Sequence, residues 1–136
     1  MTIKEAKEKL QQVLWDNKYL EVKAQEIEKQ KIKSEKLTLK LSHSASSDKL
    51  LELEETIRKI DNLKIREAEY FLLIESNKLE FEKTLSSVSQ PYRIILYYKY
   101  VIGYSNEEIA RAMQYSPPRI YQLLAESIAE YARLMS

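Results

Sequence analysis

The sequence predicts an all-α protein: an N-terminal long helical hairpin or coiled coil, followed by a C-terminal helix-turn-helix domain. Three observations predict it. Apolar residues recur at spacings of three and four through the first part of the chain, the period of a helix with one buried stripe. Glycine occurs once and proline three times in 136 residues, so helix breakers are scarce. Finally, two serine cap signatures, at Ser105 and Ser116, bracket a short helix near the C-terminus.

Residues 1–41 read as one long charged helix. Ile3, Ala6, Leu10, Val13, Asn17, Leu20, Ala24 and Ile27 follow a 3-4-3-4-3-4-3 spacing, the seam of a coiled coil. The pattern then decays through Lys31 and Ser34. A serine-rich break follows at 42–48, with Asp48 as the expected N-cap of a second helix. That helix puts Leu50, Leu53, Ile57 and Ile60 on one stripe, drifts through Leu63, Phe71, Ile74 and Phe81, and ends near Thr84. The serines and proline of 84–91 mark the boundary between a helical region, 1–83, and a second domain, 84–136.

Composition narrows the function. The 22 basic and 21 acidic residues leave a net charge of +1, and cysteine is absent. Thiolate metal sites and disulfides are therefore excluded, and a single histidine, His43, leaves little for a catalytic metal. One glycine cannot build a phosphate-cradling loop or dinucleotide fingerprint. His43 lies beside Ser42, Ser44 and Asp48, but a serine-rich linker lacks the scaffold and oxyanion hole of a nucleophilic triad. No enzyme, catalytic residue, metal or cofactor is expected. The apolar run 70–74 is far short of the ~18 residues of a membrane span, and the charged start lacks a signal-peptide core. No membrane association is expected, and a cytoplasmic location is the default.

The C-terminal segment carries the specific signal. A helical stretch over 90–102 stops at Gly103, where a left-handed residue suits a helix end. Ser105 and Glu108 form a capping-box pair before a helix over 106–113, and Ser116 followed by Pro117 opens a final helix reaching about residue 134. A helix, a tight turn and a helix form the scaffold that lays its second helix into a DNA major groove. The inner positions fit that scaffold: Ile109, the small Ala110, Met113, Tyr115 in the turn, then Ile120 and Leu123. Gln114 stands where the turn usually has glycine, at a cost of about 1 kcal/mol.

Residues 93–131 resemble the C-terminal, −35-reading region of bacterial sigma factors (sigma region 4). The resemblance rests on Tyr100-x-x-Gly103-x-Ser105-x-Glu107-Glu108-Ile109-Ala110 and Ser116-x-x-Arg119-Ile120-x-Gln122. With charged helices first and this module last, the layout resembles small phage-encoded transcriptional regulators of the ArpU/RinA type. The resemblance implies a sequence-specific DNA-binding regulator of transcription, with double-stranded DNA as partner. By position, it implies phosphate contacts at Ser105 and Asn106 and groove contacts from Ser116, Arg119, Tyr121 and Gln122. Arg111 joins this DNA-facing set. Two departures stand out: Tyr121 replaces a frequent arginine, and Glu126 falls where a lysine commonly meets phosphate.

The alternative reading is a protein-interaction module docking on RNA polymerase or another regulator, since Arg93, Lys99, Arg111, Arg119 and Arg133 are the only cations of 84–136. The tyrosines 97, 98, 100, 104 and 115 are expected to pack as core and rim rather than to stack bases. Asn17, at an a position of the seam, favours a homodimer through the N-terminal helices. A cover supplied by residues 50–60 of the same chain is the other arrangement.

Overall fold

The computed structural model describes residues 1–43 and 46–136. Every regular element among them is helical: α1 (Ile3–Ser42), α2 (Ser47–Leu85), α3 (Tyr92–Tyr97), a π-helical turn (Tyr98–Ile102), α4 (Asn106–Met113) and α5 (Pro117–Leu134). No helix among the described residues is long and apolar enough to cross a membrane.

Two compact units result, Met1–Lys18 with Ser76–Ser136, and Tyr19–Glu75. This division differs from the 1–83 and 84–136 expectation. The first turns of α1 and the last turns of α2 carry Ala6, Leu10, Phe81 and Leu85 into one core with Leu96, Tyr100, Ile128 and Tyr131. A domain beginning at residue 84 would leave that core without its α1 and α2 walls.

In the Tyr19–Glu75 unit the two long helices run antiparallel, with Lys31 against Glu67. The α1 stripe does not decay after Ile27. Lys31, Ser34, Thr38 and Leu41 continue the same three-four spacing, with Ser34 and Leu41 buried. Polar members are accommodated locally. The Thr38 hydroxyl donates to the Ser34 carbonyl at 2.9 Å, and the Lys31 ammonium reaches Glu28 at 2.9 Å and Glu67 at 3.1 Å. These groups need no deep pocket, so a polar residue can occupy a seam position without breaking the register.

On α2 the observed stripe is rotated from the expected one. Leu53, Thr56, Ile60, Leu63, Glu67, Tyr70 and Ile74 turn inward, while Leu50, Ile57 and Phe71 are exposed. Thr56 is buried because its hydroxyl donates to the Glu52 carbonyl at 2.8 Å, so the register holds with a polar residue inside. The cap is also displaced. Ser46 Oγ accepts the Lys49 amide at 3.3 Å, so Asp48 is a first-turn acid rather than the N-cap. Ser44 and Ala45 of the expected linker lie outside the described residues; His43 is exposed.

In the other unit, Ile3 is exposed at the start of α1, whereas Ala6, Leu10 and Asn17 are buried within the single chain. The cover over this part of the seam is therefore intramolecular, and burial of Asn17 requires no second copy. Both amide atoms of Asn17 lack a hydrogen-bond partner. Asn17 borders a cleft of about 260 Å³ that it shares with Val13, Asn77, Phe81, Thr84 and Tyr131.

Candidate nucleic-acid interface

The segment from Tyr98 to Leu123 owes its shape to four local devices. Gly103 adopts φ 85°, ending the π-helical turn, and its amide and that of Tyr104 both donate to the Tyr98 carbonyl, at 3.0 and 2.9 Å. A Cβ at Gly103 would lie 3.4 Å from Leu14 Cδ1, an ordinary contact, so the backbone angle rather than space selects glycine. The capping box at Ser105 is complete: its hydroxyl accepts the Glu108 amide, and the Glu108 carboxylate accepts the Ser105 amide, each at 3.2 Å. Gln114 takes φ 59° and ψ 40°, and the Tyr115 amide reaches back to the Ala110 carbonyl at 3.0 Å, closing α4 in a Schellman arrangement. Ser116 Oγ then accepts the Arg119 amide at 3.4 Å, with Pro117 opening α5.

These devices pack α4 against α5. Ile109, Ala110 and Ile120 form a buried cluster, flanked by Met113 and by Tyr98 and Tyr104, whose rings stack with centroids 5.3 Å apart. Leu123 and Ile128 continue the inward row of α5. With Ala110 the crossing can be close, because a methyl group is all that separates the backbones there.

The outward row is polar. Ser116, Arg119, Tyr121 and Gln122 are exposed on the first two turns of α5, and Arg111 is exposed at the end of α4. Arg119 Nη1 donates to Gln122 Oε1 at 2.9 Å. Ser105 and Asn106 lie at the α4 N-terminus, half-buried, and Lys99 Nζ donates to Asn106 Oδ1 at 3.0 Å. Lys99, in the sequence only one of five cations of 84–136, thus meets a residue expected at the α4 N-terminus. Its signal was a spacing of seven from Asn106, which joins the two only once the π-helical turn and Gly103 have reversed the chain. Glu107 and Glu108 in the first turn of α4 oppose an anion at that same helix end.

The cations divide into two groups. Arg93 Nε and Nη2 donate to the Val88 and Ser86 carbonyls at 2.8 and 2.9 Å, bracing the connection after α2. Arg133 pairs with Glu130 at 2.7 Å, which holds the Glu130 carboxyl below the ordinary carboxylate range. Lys99, Arg111 and Arg119 remain around the α4–α5 face. Glu126 accepts the Tyr92 hydroxyl at 3.0 Å, and this bond, with the carboxylate charge, raises the Tyr92 pKa. The residue that departs from a phosphate-binding lysine thus ties α5 to α3.

The tyrosines are structural in the main. Tyr100 and Tyr131 are buried, and burial raises both hydroxyl pKa values. Tyr115 and Tyr121 stay exposed. Among the described residues no group of His, Asp and Glu side chains is arranged to hold a metal ion. Comparison with protein-family models, with curated proteins and with solved structures finds no match.

Proposed function

We propose that this chain is a sequence-specific DNA-binding regulator of transcription, in which α4, the turn at Gln114 and α5 act as a helix-turn-helix with α5 as the reading helix. One observation carries the reading: the first two turns of α5 bury Ile120 and Leu123 on one side and expose Arg119, Tyr121 and Gln122 on the other. A helix with its apolar side fixed and its N-terminal polar side free has the shape and chemistry that enter a major groove. Arg119 and Gln122 supply the donors and acceptors that base edges distinguish, with Ser116 and Tyr121 beside them as groove-facing residues, and Ser105, Asn106 and Arg111 are assigned to the phosphate backbone. The resemblance to sigma region 4 and to ArpU/RinA-type phage regulators supports the same reading, and implies action in the cytoplasm. Electrophoretic mobility shift of the full chain on a randomised duplex pool, at low and at moderate salt, tests it.

A second reading is favoured by the low charge of the face. Glu107 and Glu108 flank the α4 N-terminus, and Tyr115 and Tyr121 are exposed beside three cations. Such a mixed surface suits a protein partner such as RNA polymerase, and polymerase capture without any duplex retention would select that reading.

A further inference from the structure

The cleft beside Asn17 lies wholly within the Met1–Lys18 and Ser76–Ser136 unit, between α1, the end of α2 and Tyr131 of α5. Its polar groups lack partners to a degree that a folded interior rarely tolerates. Asn17 is 2% exposed and neither atom of its amide makes a hydrogen bond. Tyr131 is 6% exposed, and its hydroxyl makes no hydrogen bond among the described residues. The side chains of Asn77 and Glu80, which also line the cleft, make none either.

The charge of the lining has one sign. Asp16 of α1 and Glu80 of α2 contribute carboxylates, and no lysine, arginine or histidine lines the cleft. Neither carboxylate makes an ion pair among the described residues. Asp16 accepts one hydrogen bond, from Gln12 at 2.7 Å, which leaves lone pairs on its two oxygens. An anionic ligand is therefore repelled, and a ligand rich in donors is matched by oxygens on both long helices and on α5.

We infer that this cleft binds an alkylguanidinium group, from a free alkylguanidine or from an arginine side chain. A guanidinium has five donors and no acceptor. It is also less strongly hydrated than an ammonium, so it enters a partly buried site at lower cost. Glu80 and Asp16 are exposed and take its charge at the edge of the cleft. The oxygens of Tyr131 and Asn77 accept its inner N–H groups, while Val13 and Phe81 give the alkyl stem an apolar wall. Asn17 has no bond to lose in turning its carbonyl oxygen toward the ligand. A volume of about 260 Å³ admits the group and a few methylenes, whereas pockets for drug-sized molecules begin at about 300 Å³. None of the residues assigned to DNA lines this cleft, so the inference stands apart from that reading.

Titration of the full chain with agmatine, followed by the side-chain amide NMR signals of Asn17 and Asn77, tests the site. Both signals should move and saturate, with a dissociation constant of about 1 mM or tighter. Tyr131→Phe, which keeps the ring in the core, should weaken binding about tenfold, and so should Asp16→Asn with Glu80→Gln. Glu54→Gln with Asp61→Asn, which removes two exposed carboxylates elsewhere, should leave binding unchanged. Putrescine, with an ammonium in place of the guanidinium on the same butyl chain, should bind about threefold more weakly or worse. An arginine-containing tripeptide titrated in parallel separates the two sources, the tighter binder naming the one that fits. No saturable shift up to about 10 mM agmatine overturns the inference. Equal binding by all the variants, or putrescine as tight as agmatine, overturns it as well.

Discussion

Arg119 Nη1 donates to Gln122 Oε1 at 2.9 Å, one turn apart on the open side of α5. The bond orients a guanidinium and leaves the Gln122 amide nitrogen free to donate, so the two side chains present one combined donor surface. Removing either should be felt by a nucleic acid and not by the fold. Arg119→Ala is expected to lower duplex affinity by about 1–3 kcal/mol while leaving the thermal midpoint unchanged. Equal affinity of variant and wild type at low salt would remove Arg119 from the interface.

The turn before α5 carries a backbone cost that one substitution relieves. Gln114 holds φ 59°, a region that side chains resist and glycine tolerates. Gln114→Gly should therefore stabilise the chain, by up to about 1 kcal/mol, in spite of the greater freedom of glycine when unfolded. Ser105→Ala should act in the opposite direction, costing about 1 kcal/mol through loss of the capping-box acceptor. Urea midpoints of the two variants check both signs.

Much of this C-terminal segment was legible beforehand, because its shape is decided by local chemistry. The bonds made at Gly103, Ser105, Gln114 and Ser116 join backbone groups and cap side chains no more than six residues apart, and such bonds are written in the sequence. The long helices were less legible. Ile57 and Phe71 are more apolar than Thr56 and Tyr70, yet the register set by Ile60, Leu63 and Ile74 puts the polar neighbours inside. Hydrophobicity ranks residues singly, whereas a seam is chosen by the whole heptad. The same limit hid the π-helical turn, whose wider ring places Tyr100 and Val101 in the core and has no composition signal of its own. Lys99 was legible as a cation, but its bond to Asn106 was not, because the two lie on either side of a chain reversal.

Asn17 offers a test of packing in the unit formed by the chain ends. Its side chain is 2% exposed and neither amide atom has a partner. A buried amide left unsatisfied costs about 1–3 kcal/mol, and leucine has the same branched shape, with the adjoining cleft to take its larger volume. Asn17→Leu should raise the free energy of unfolding by about 1–2 kcal/mol. A destabilised variant would show that the amide is satisfied in solution by water from the adjoining cleft.

The pH dependence of the hairpin follows from the charges around Lys31. Glu28 has its carboxyl lowered, first by Glu67, which can donate to it only when protonated, and then by Lys31, and the Lys31 pKa is raised by both carboxylates. A depressed carboxyl contributes stability above its unfolded pKa and loses it as pH falls through the folded value. Lys31→Gln should therefore flatten the fall in stability between about pH 5 and pH 3, with most of its cost at neutral pH. Urea midpoints across that range are the measurement; an acid limb as steep as that of the wild type would show that Lys31 does not set it.

Selection of duplexes from a random pool by the full chain, run in parallel with Arg119→Ala, tests DNA reading by α5 most directly. The wild type should enrich one common motif, with retention that weakens as salt rises, and Arg119→Ala should lose or relax at least one base position of that motif. A pool that yields no common sequence at low salt, or the same motif at the same strength from both chains, would contradict reading by α5.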